Sequence, residues 1–207
     1  MKTEAVTFDF WMTLGMPRVS ADKFVKDRVK AIRRALSDKG VNVDFDDLLE
    51  AYLKSSDECN VIRRETYREV PVSRHLKIML SMLNIDVEVD HKLEQAFVKP
   101  FLDHFEFYPD TRHVLDRLKG GGYKLAVISN TPYGWAKRKL LRETGLIRYF
   151  DVLSFSDEVG IRKPSVEIFL YTLDLLGVKP ERTIHVGDSK DDVEGALLSG
   201  IRPILFY

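Results

Sequence analysis

The stretch VTFDFWMTLG (residues 6–15) ends a short apolar run on a lone carboxylate, Asp9, and places Trp11 two residues further on. A carboxylate at such a position can act as a nucleophile or as an oxygen ligand of a divalent cation. An indole has no proton to exchange at neutral pH, so Trp11 cannot act as a general acid or base. Asp9 therefore raises the question of which other residues would complete a reactive site around it.

Three later segments repeat this pattern, with polar residues at the end of a short apolar run or just beyond it. In open parallel sheets, ligands bind beyond the carboxyl ends of the strands. The sequence therefore predicts that these segments meet Asp9 at one edge of a sheet. Their candidate residues are Ser129 and Asn130, then Asp157 and Lys163, then Asp188 and Asp192.

The apolar runs themselves predict the sheet that must position these residues. Each run is too short for a helix and rich in β-branched or aromatic residues, which is typical of buried parallel strands. Helical patterns over 111–122, 134–145, 165–177 and 191–199 separate the later runs. This alternation predicts an α/β protein with a doubly wound, Rossmann-like parallel sheet. The predicted strands are AVTF (5–8), KLAVIS (124–129), DVLSFS (151–156), TIHVG (183–187) and PILFY (203–207).

The segment 17–104 differs from the rest of the chain, because helical periodicity runs through it and no convincing strand interrupts it. Ser20 is a plausible N-cap for its first helix, and Gly40 a plausible end. We therefore expect a helical domain over 17–104, inserted after the first strand of a core that comprises 1–16 and 105–207.

Composition excludes several classes of protein. Lys and Arg together number 32, as do Asp and Glu, so no overall basic charge favours nucleic acid or an anionic membrane. Cys59 is the only cysteine, which excludes an internal disulfide and a cysteine-built metal site. The stretch MKTEAVTFDF, whose short apolar segment is broken by Asp9, is not the pattern of a signal peptide or a membrane span, so we expect a cytoplasmic location. We also expect a monomer or a small homo-oligomer. The single glutamine and abundant charged residues are typical of thermophilic sources.

The four clusters, in this order, resemble the motifs of the haloacid dehalogenase-like (HAD) hydrolase superfamily. The resemblance covers about 1–15 and 105–207, and the helical segment lies where subfamily I carries a type I cap domain. The matching stretches are FDFWMTL for the first motif hhhDxxxT, VISN for the second, SDEVGIRKP for the third, and HVGDSKDDVEGA for the acidic fourth.

The resemblance implies a nucleophile and a magnesium site. Asp9 would attack phosphorus and form an aspartyl-phosphate. Mg²⁺ prefers hard oxygen ligands, which the Asp9 carboxylate, the backbone carbonyl of Trp11 and the Asp188 carboxylate would supply. Asp192 would act as a further ligand through water or as an orienting acid behind the first ligands.

The same resemblance implies the groups that bind the phosphoryl oxygens. Lys163 would place a positive charge beside these oxygens and Asp9, which stabilises the transition state. Ser129 and the backbone N–H of Asn130 would donate hydrogen bonds to them. Trp11 would line the substrate pocket. Outside this set, we expect His185 to be a hydrogen-bonded structural residue of a buried strand.

Trp11 is a departure from the phosphatases of this superfamily, which usually carry a second Asp at that position as general acid and base. Loss of a positioned general acid and base such as this second Asp lowers the reaction rate by about 10²–10⁴-fold. The sequence therefore indicates a slow phosphatase, or one whose substrates have leaving groups that need no proton. Dehalogenases of the superfamily carry an aromatic residue there, so carbon–halogen hydrolysis is an alternative.

The fourth motif favours the phosphatase over the dehalogenase. Dehalogenases need no metal and lack the Gly187-Asp188 pair, and an uncompensated acid beside Asp9 would raise the pKa of the nucleophile. We therefore expect Mg²⁺-dependent hydrolysis of a small phosphorylated metabolite. A binding protein without catalysis on the same scaffold is the remaining alternative.

Overall fold

The structure is a computed structural model, and it describes residues 2–206. Strands and helices alternate over the second half of the chain, whereas helices fill most of the first half. The elements, in chain order, are β1 (Ala5–Phe8), β2 (Gly15–Pro17), α1 (Ala21–Ser37), α2 (Phe45–Thr66), α3 (Val72–Met82), α4 (His91–His104), β3 (Phe105–Phe107), α5 (Thr111–Gly120), β4 (Lys124–Ser129), α6 (Gly134–Glu143), β5 (Val152–Phe155), α7 (Ser156–Val159), α8 (Val166–Leu176), β6 (Thr183–Gly187), α9 (Lys190–Leu198) and β7 (Arg202–Leu205), with 3₁₀ turns at Leu146–Tyr149 and Pro180–Arg182.

The main sheet has five parallel strands in the order β5-β4-β1-β6-β7. This confirms the predicted α/β class and its parallel Rossmann-like sheet. β1 lies at the centre, with Phe8 level with Val127 of β4 and Val186 of β6. The last strand runs over Arg202–Leu205 rather than from 203 to 207, and Tyr207 lies outside the described residues.

Helix α8 shows how the sequence fixes the packing against this sheet. Ser165 caps its first turn by accepting a hydrogen bond from the Glu167 N–H (3.4 Å), and Gly177 ends the helix with a φ of +62°. Apolar side chains at helical spacing form one stripe that is buried with residues of β1, β4 and α9. This cluster comprises Ala5, Ala126, Ile128, Ile168, Phe169, Leu173, Leu176, Ala196 and Ile201.

The chain divides into two compact units, and the second, residues 17–66 and 70–105, contains α1 to α4. Within it, Arg28 is buried and donates to the Phe97 carbonyl and the Tyr52 hydroxyl, both at 2.8 Å. Its guanidinium also lies 4.4 Å from the centre of the Phe97 ring. A buried cation is tolerated here because hydrogen bonds and aromatic faces replace its hydration.

The first unit comprises 1–16, 67–69 and 106–207, so the segment 67–69 packs with the sheet although it interrupts the helical stretch. The Arg162 N–H donates to the Tyr67 carbonyl (2.8 Å), and the Arg162 side chain pairs with the buried Glu69 carboxylate. Sequence periodicity cannot reveal this, because the segment is held by distant residues. That the helical unit acts as a cap domain stays a prediction.

Two short strands, β2 and β3, form a separate two-stranded sheet that the sequence analysis did not predict. Gly15 explains part of this pairing, since a Cβ atom there would lie 2.2 Å from the Glu106 carbonyl oxygen. Such short strands escape detection because three residues are too few to show a period.

Over residues 2–206, no helix combines the length and the apolar character that crossing a membrane requires.

Candidate active site

The register of the sheet brings the predicted clusters to one edge. Asp9 directly follows Phe8, which is level with Val127 and Val186. Ser129 and Asp188 each lie two residues beyond those partners. Because the three strands are parallel, their carboxyl ends, and these polar residues, lie side by side.

Lys163 connects the third cluster to the first and the fourth. Its buried ammonium lies 2.6 Å from Asp9 Oδ1 and also pairs with Asp192 Oδ1. Burial favours the neutral amine, but the charges of Asp9 and Asp192 outweigh it and raise the pKa of Lys163 above its ordinary value. Lys163 is therefore a permanent cation at the centre of the site.

Asp192 is the most highly bonded carboxylate of the group. Besides Lys163, its Oδ1 lies 3.0 Å from His185 Nε2, while its Oδ2 accepts from the Ser189 hydroxyl (2.5 Å) and N–H (3.1 Å). Burial raises the pKa of this carboxyl, but the Lys163 charge and the His185 hydrogen bond outweigh it, so the pKa lies well below its usual range. Ser189 and Asp192 together form a capping box at the start of α9.

Gly187 permits this arrangement. A Cβ atom at Gly187 would lie 2.2 Å from Asp192 Cγ. The Asp192 carboxylate therefore occupies the space that the side chain of any other residue at position 187 would need. A glycine before the acidic pair is therefore required for close approach rather than for an unusual backbone angle.

His185 is hydrogen-bonded within a buried strand, as predicted. Thr7 Oγ1 lies 2.8 Å from its Nδ1, and Asp192 lies beside its Nε2. Burial, aided by the Lys163 charge, lowers the pKa of His185 despite the hydrogen bond to Asp192. His185 therefore braces Asp192 from behind.

Asp188 is the third carboxylate of the cluster. One carboxylate oxygen each from Asp9, Asp188 and Asp192 lie within 4.8 Å of one another. Burial, followed by the charges of Asp9 and Asp192, raises the pKa of Asp188. The negative charge of the three carboxylates thus exceeds the single positive charge of Lys163. A bound cation would offset this excess.

These residues fit a divalent cation with hard oxygen ligands. Asp9 and Asp188 have carboxylate oxygens to offer. Both oxygens of Asp192 already accept hydrogen bonds, which favours its predicted orienting role over direct ligation. The Trp11 carbonyl as a ligand stays a prediction.

Ser129 is buried at the end of β4 and accepts a hydrogen bond from the Lys137 ammonium at 2.8 Å. Lys137 lies on α6, is only 2% exposed, and was not identified from the sequence. Its neighbours Arg138 and Lys139 are cationic too, and nothing in the local pattern AKRK distinguishes a buried lysine from a solvated one.

The Asn130 side chain holds the loop that carries Lys163. Its Nδ2 donates to the Lys163 carbonyl (3.0 Å), and its Oδ1 accepts from the Lys163 N–H (2.8 Å). The predicted contact between the Asn130 backbone N–H and substrate stays a prediction. Asp157, another strand-end candidate, accepts a hydrogen bond from the Gly134 N–H (2.8 Å) and so binds the start of α6.

Trp11 lies in a tight loop after β1. The Met12 N–H donates to the Gly15 carbonyl (2.8 Å), and Met12 has a φ of +61°. Leu14 N–H donates back to the Phe10 carbonyl (3.1 Å). This loop carries Trp11 two residues beyond Asp9, and no acid occupies its position.

Comparison with known proteins agrees with this geometry. A family model described as haloacid dehalogenase-like hydrolase matches residues 3–200. The chain belongs to this family of hydrolases. Membership confirms the resemblance carried by the four motifs.

Two curated relatives of this HAD hydrolase are phosphatases. A glyceraldehyde 3-phosphate phosphatase of Methanothermobacter thermautotrophicus is 33% identical over 183 residues, which cover 87% of this chain and 68% of that protein. A phosphoglycolate phosphatase of Aquifex aeolicus is 34% identical over 122 residues, which cover 55% of this chain and 57% of that protein.

A solved structure extends the comparison to the whole fold. The crystal structure of a HAD phosphatase from Thermococcus onnurineus has a TM-score of 0.69 and 29% sequence identity to this HAD hydrolase. The match covers 99% of this chain and 86% of that one.

Removing the charge of Asp192 is expected to destabilise the protein. In Asp192→Asn, Lys163 loses one of two buried charged partners and keeps Asp9, and we expect a loss of about 1–3 kcal/mol in the free energy of unfolding. Asp191→Asn, on the same turn but not in direct contact with the Lys163 ammonium, serves as control. Urea unfolding followed by circular dichroism measures both. Equal midpoints for the two variants would contradict the central role of Asp192.

Proposed function

We propose that this HAD hydrolase is a Mg²⁺-dependent phosphatase that hydrolyses small phosphorylated metabolites through an aspartyl-phosphate on Asp9. The observation that carries the proposal is the cluster of Asp9, Asp188 and Asp192 around Lys163. The phosphatase names of the two curated relatives support it.

Asp9 would act as the nucleophile, and its contacts support this role. Lys163 holds its Oδ1, and over residues 2–206 its Oδ2 has no hydrogen-bond partner. Oδ2 would attack phosphorus, forming a P–O bond while the bond to the ester oxygen breaks and that oxygen leaves with its electron pair. Water would then hydrolyse the acyl-phosphate, which releases inorganic phosphate and restores the carboxylate.

Asp9, Asp188 and the Trp11 carbonyl would hold Mg²⁺, with Asp192 behind them. When bound, the cation supplies positive charge that offsets repulsion between the carboxylate and the phosphoryl group and polarises the phosphoryl oxygens. The protein's own cation, Lys163, would face the same oxygens from a fixed position. Asp192, which is itself bound by His185, holds the Lys163 ammonium, and the Asn130 side chain holds the Lys163 backbone, so little reorganisation would be needed during reaction.

The leaving group has no acid at the usual position, because Trp11 stands there. The proposal therefore includes a preference for substrates whose leaving oxygen is stable without a proton, such as aryl or acyl phosphates. Alkyl phosphates would react slowly unless another acid reaches the leaving oxygen.

Assays with p-nitrophenyl phosphate and with 2-chloropropionate, each with and without Mg²⁺, test the proposal. Mg²⁺-dependent release of phosphate is the expected result. Metal-independent release of chloride would instead establish the dehalogenase alternative. The absence of both activities would favour a binding protein on this scaffold.

The variant Asp9→Asn is expected to lose turnover of p-nitrophenyl phosphate to background, because an amide does not form the acyl-phosphate. Its circular dichroism spectrum should match that of the wild type. Asp174→Asn, which changes an exposed acid on α8, is the matched control and should retain full activity. Normal turnover by Asp9→Asn would refute the mechanism.

The variant Asp188→Asn is expected to separate the effects of charge and metal. Without Mg²⁺, it should melt at or above the wild-type temperature, because one of three mutually repelling carboxylates is gone. Excess Mg²⁺ should raise the melting temperature of the wild type through binding to the folded state, but not that of the variant. Differential scanning fluorimetry measures both. An equal Mg²⁺ response in both proteins would exclude Asp188 as a ligand.

The variant Trp11→Asp is expected to raise kcat for an alkyl phosphate such as glycerol phosphate by about 10-fold or more, because it supplies the missing acid. The gain should be much smaller for p-nitrophenyl phosphate, whose leaving group needs no proton. Trp11→Asn, which removes the indole without adding an acid, controls for the change in size. Equal rates for the Asp and Asn variants would show that the absent acid does not limit the reaction.

A further inference from the structure

Lys137 is a second buried lysine of the site, on a different element from Lys163. Its ammonium donates to Ser129 Oγ at 2.8 Å and lies 4.8 Å from the centre of the Phe10 ring. Phe10 is fully buried and follows Asp9 directly. The lysine is thus held between the end of β4 and the residue next to the proposed nucleophile.

The direction of this hydrogen bond fixes the Ser129 hydroxyl. An ammonium has only donors, so Lys137 must use a lone pair of Ser129 Oγ, and the hydroxyl proton cannot point at the lysine. Over residues 2–206, that proton has no acceptor. A buried hydroxyl whose proton lacks a protein acceptor needs another partner, which a water molecule or a ligand oxygen would provide.

We infer that Lys137 is a positioning residue that holds the Ser129 hydroxyl as a hydrogen-bond donor toward the phosphoryl group of the substrate. The inference rests on the proposed phosphatase function and extends it to a residue outside the four motifs. In this arrangement Ser129 contacts the substrate, and Lys137 acts through Ser129 and through its own positive charge.

The surroundings of Lys137 make its hydrogen bond to Ser129 sensitive to pH. Burial lowers the pKa of Lys137 to about 8; the charges of Asp9, Asp157 and Glu69 oppose this shift, and that of Lys163 adds to it. Below this pH the lysine side chain is an ammonium, which can only donate hydrogen bonds. Above it the neutral amine has a lone pair that can accept the hydroxyl proton, which would turn the hydroxyl away from the substrate.

A double-mutant cycle tests the coupling of the two side chains. The proteins are wild type, Ser129→Ala, Lys137→Met and the double variant, and Lys139→Met, half-exposed on the same helix, is the control. The readouts are kcat/KM for p-nitrophenyl phosphate with Mg²⁺ and the inhibition constant of inorganic phosphate. Each single variant should lose about 10–100-fold in kcat/KM, and the double variant should be no more than about 3-fold worse than Ser129→Ala.

Lys137→Gln separates positioning from packing. Its amide N–H can donate to Ser129 at any pH, so it should retain much more activity than Lys137→Met at pH 7. We expect kcat/KM of the wild type to decline above about pH 8, and Lys137→Gln should lack this decline. This profile carries the test if Lys137→Met fails to fold.

Several results would overturn the inference. These are losses that multiply in the double variant, a Lys137→Met enzyme indistinguishable from Lys139→Met, and an alkaline decline that persists in Lys137→Gln. Full activity of Ser129→Ala, with Asp9→Asn inactive, would overturn the inference alone and leave the proposed function standing. No Mg²⁺-dependent phosphate release by the wild type would overturn both.

Discussion

The rest of the site depends on one buried cation, the Lys163 ammonium between the carboxylates of Asp9 and Asp192. Removing a charge from water is costly, and the protein offsets that cost with two opposite charges in direct contact. The pairing fixes Asp9 Oδ1, whereas Oδ2 has no hydrogen-bond partner among residues 2–206. It also joins Lys163 to Asp9, which is 154 positions away in the chain, and to Asp192, which is 29 positions away.

Much of the surrounding structure maintains this contact. Gly187 leaves room for the Asp192 carboxylate, while Ser189 and His185 bind its oxygens. Thr7 in turn contacts His185, which ties the central strand to the same network. The fourth motif thus has a structural function in addition to its proposed role near a cation. The environments of Asp188 and Asp192 differ accordingly. Asp192 is saturated with donors, whereas burial and neighbouring charges raise the pKa of Asp188.

The site has two buried lysines with opposite electrostatic settings. Lys163 touches two carboxylates, and its pKa is raised, whereas Lys137 touches a hydroxyl and an aromatic face, and its pKa is lowered to about 8. The same residue type can therefore provide a permanent charge at one position and a titratable donor at the other. Trp11 adds a further asymmetry, because the groups proposed to bind the phosphoryl oxygens are present while no acid stands at the position of Trp11.

The sequence by itself determined the class of fold and the strands that carry the candidate site, and it predicted the set Asp9, Ser129, Lys163 and Asp188. These predictions follow from local sequence patterns, because an apolar run and the polar residue that follows it can be recognised within a few neighbouring positions. Only the tertiary structure decided which lysine of α6 is buried, how the Asn130 side chain is used, and that 67–69 packs with the sheet unit. A side chain's burial and charge partners depend on residues distant in the chain, and no local pattern encodes that proximity.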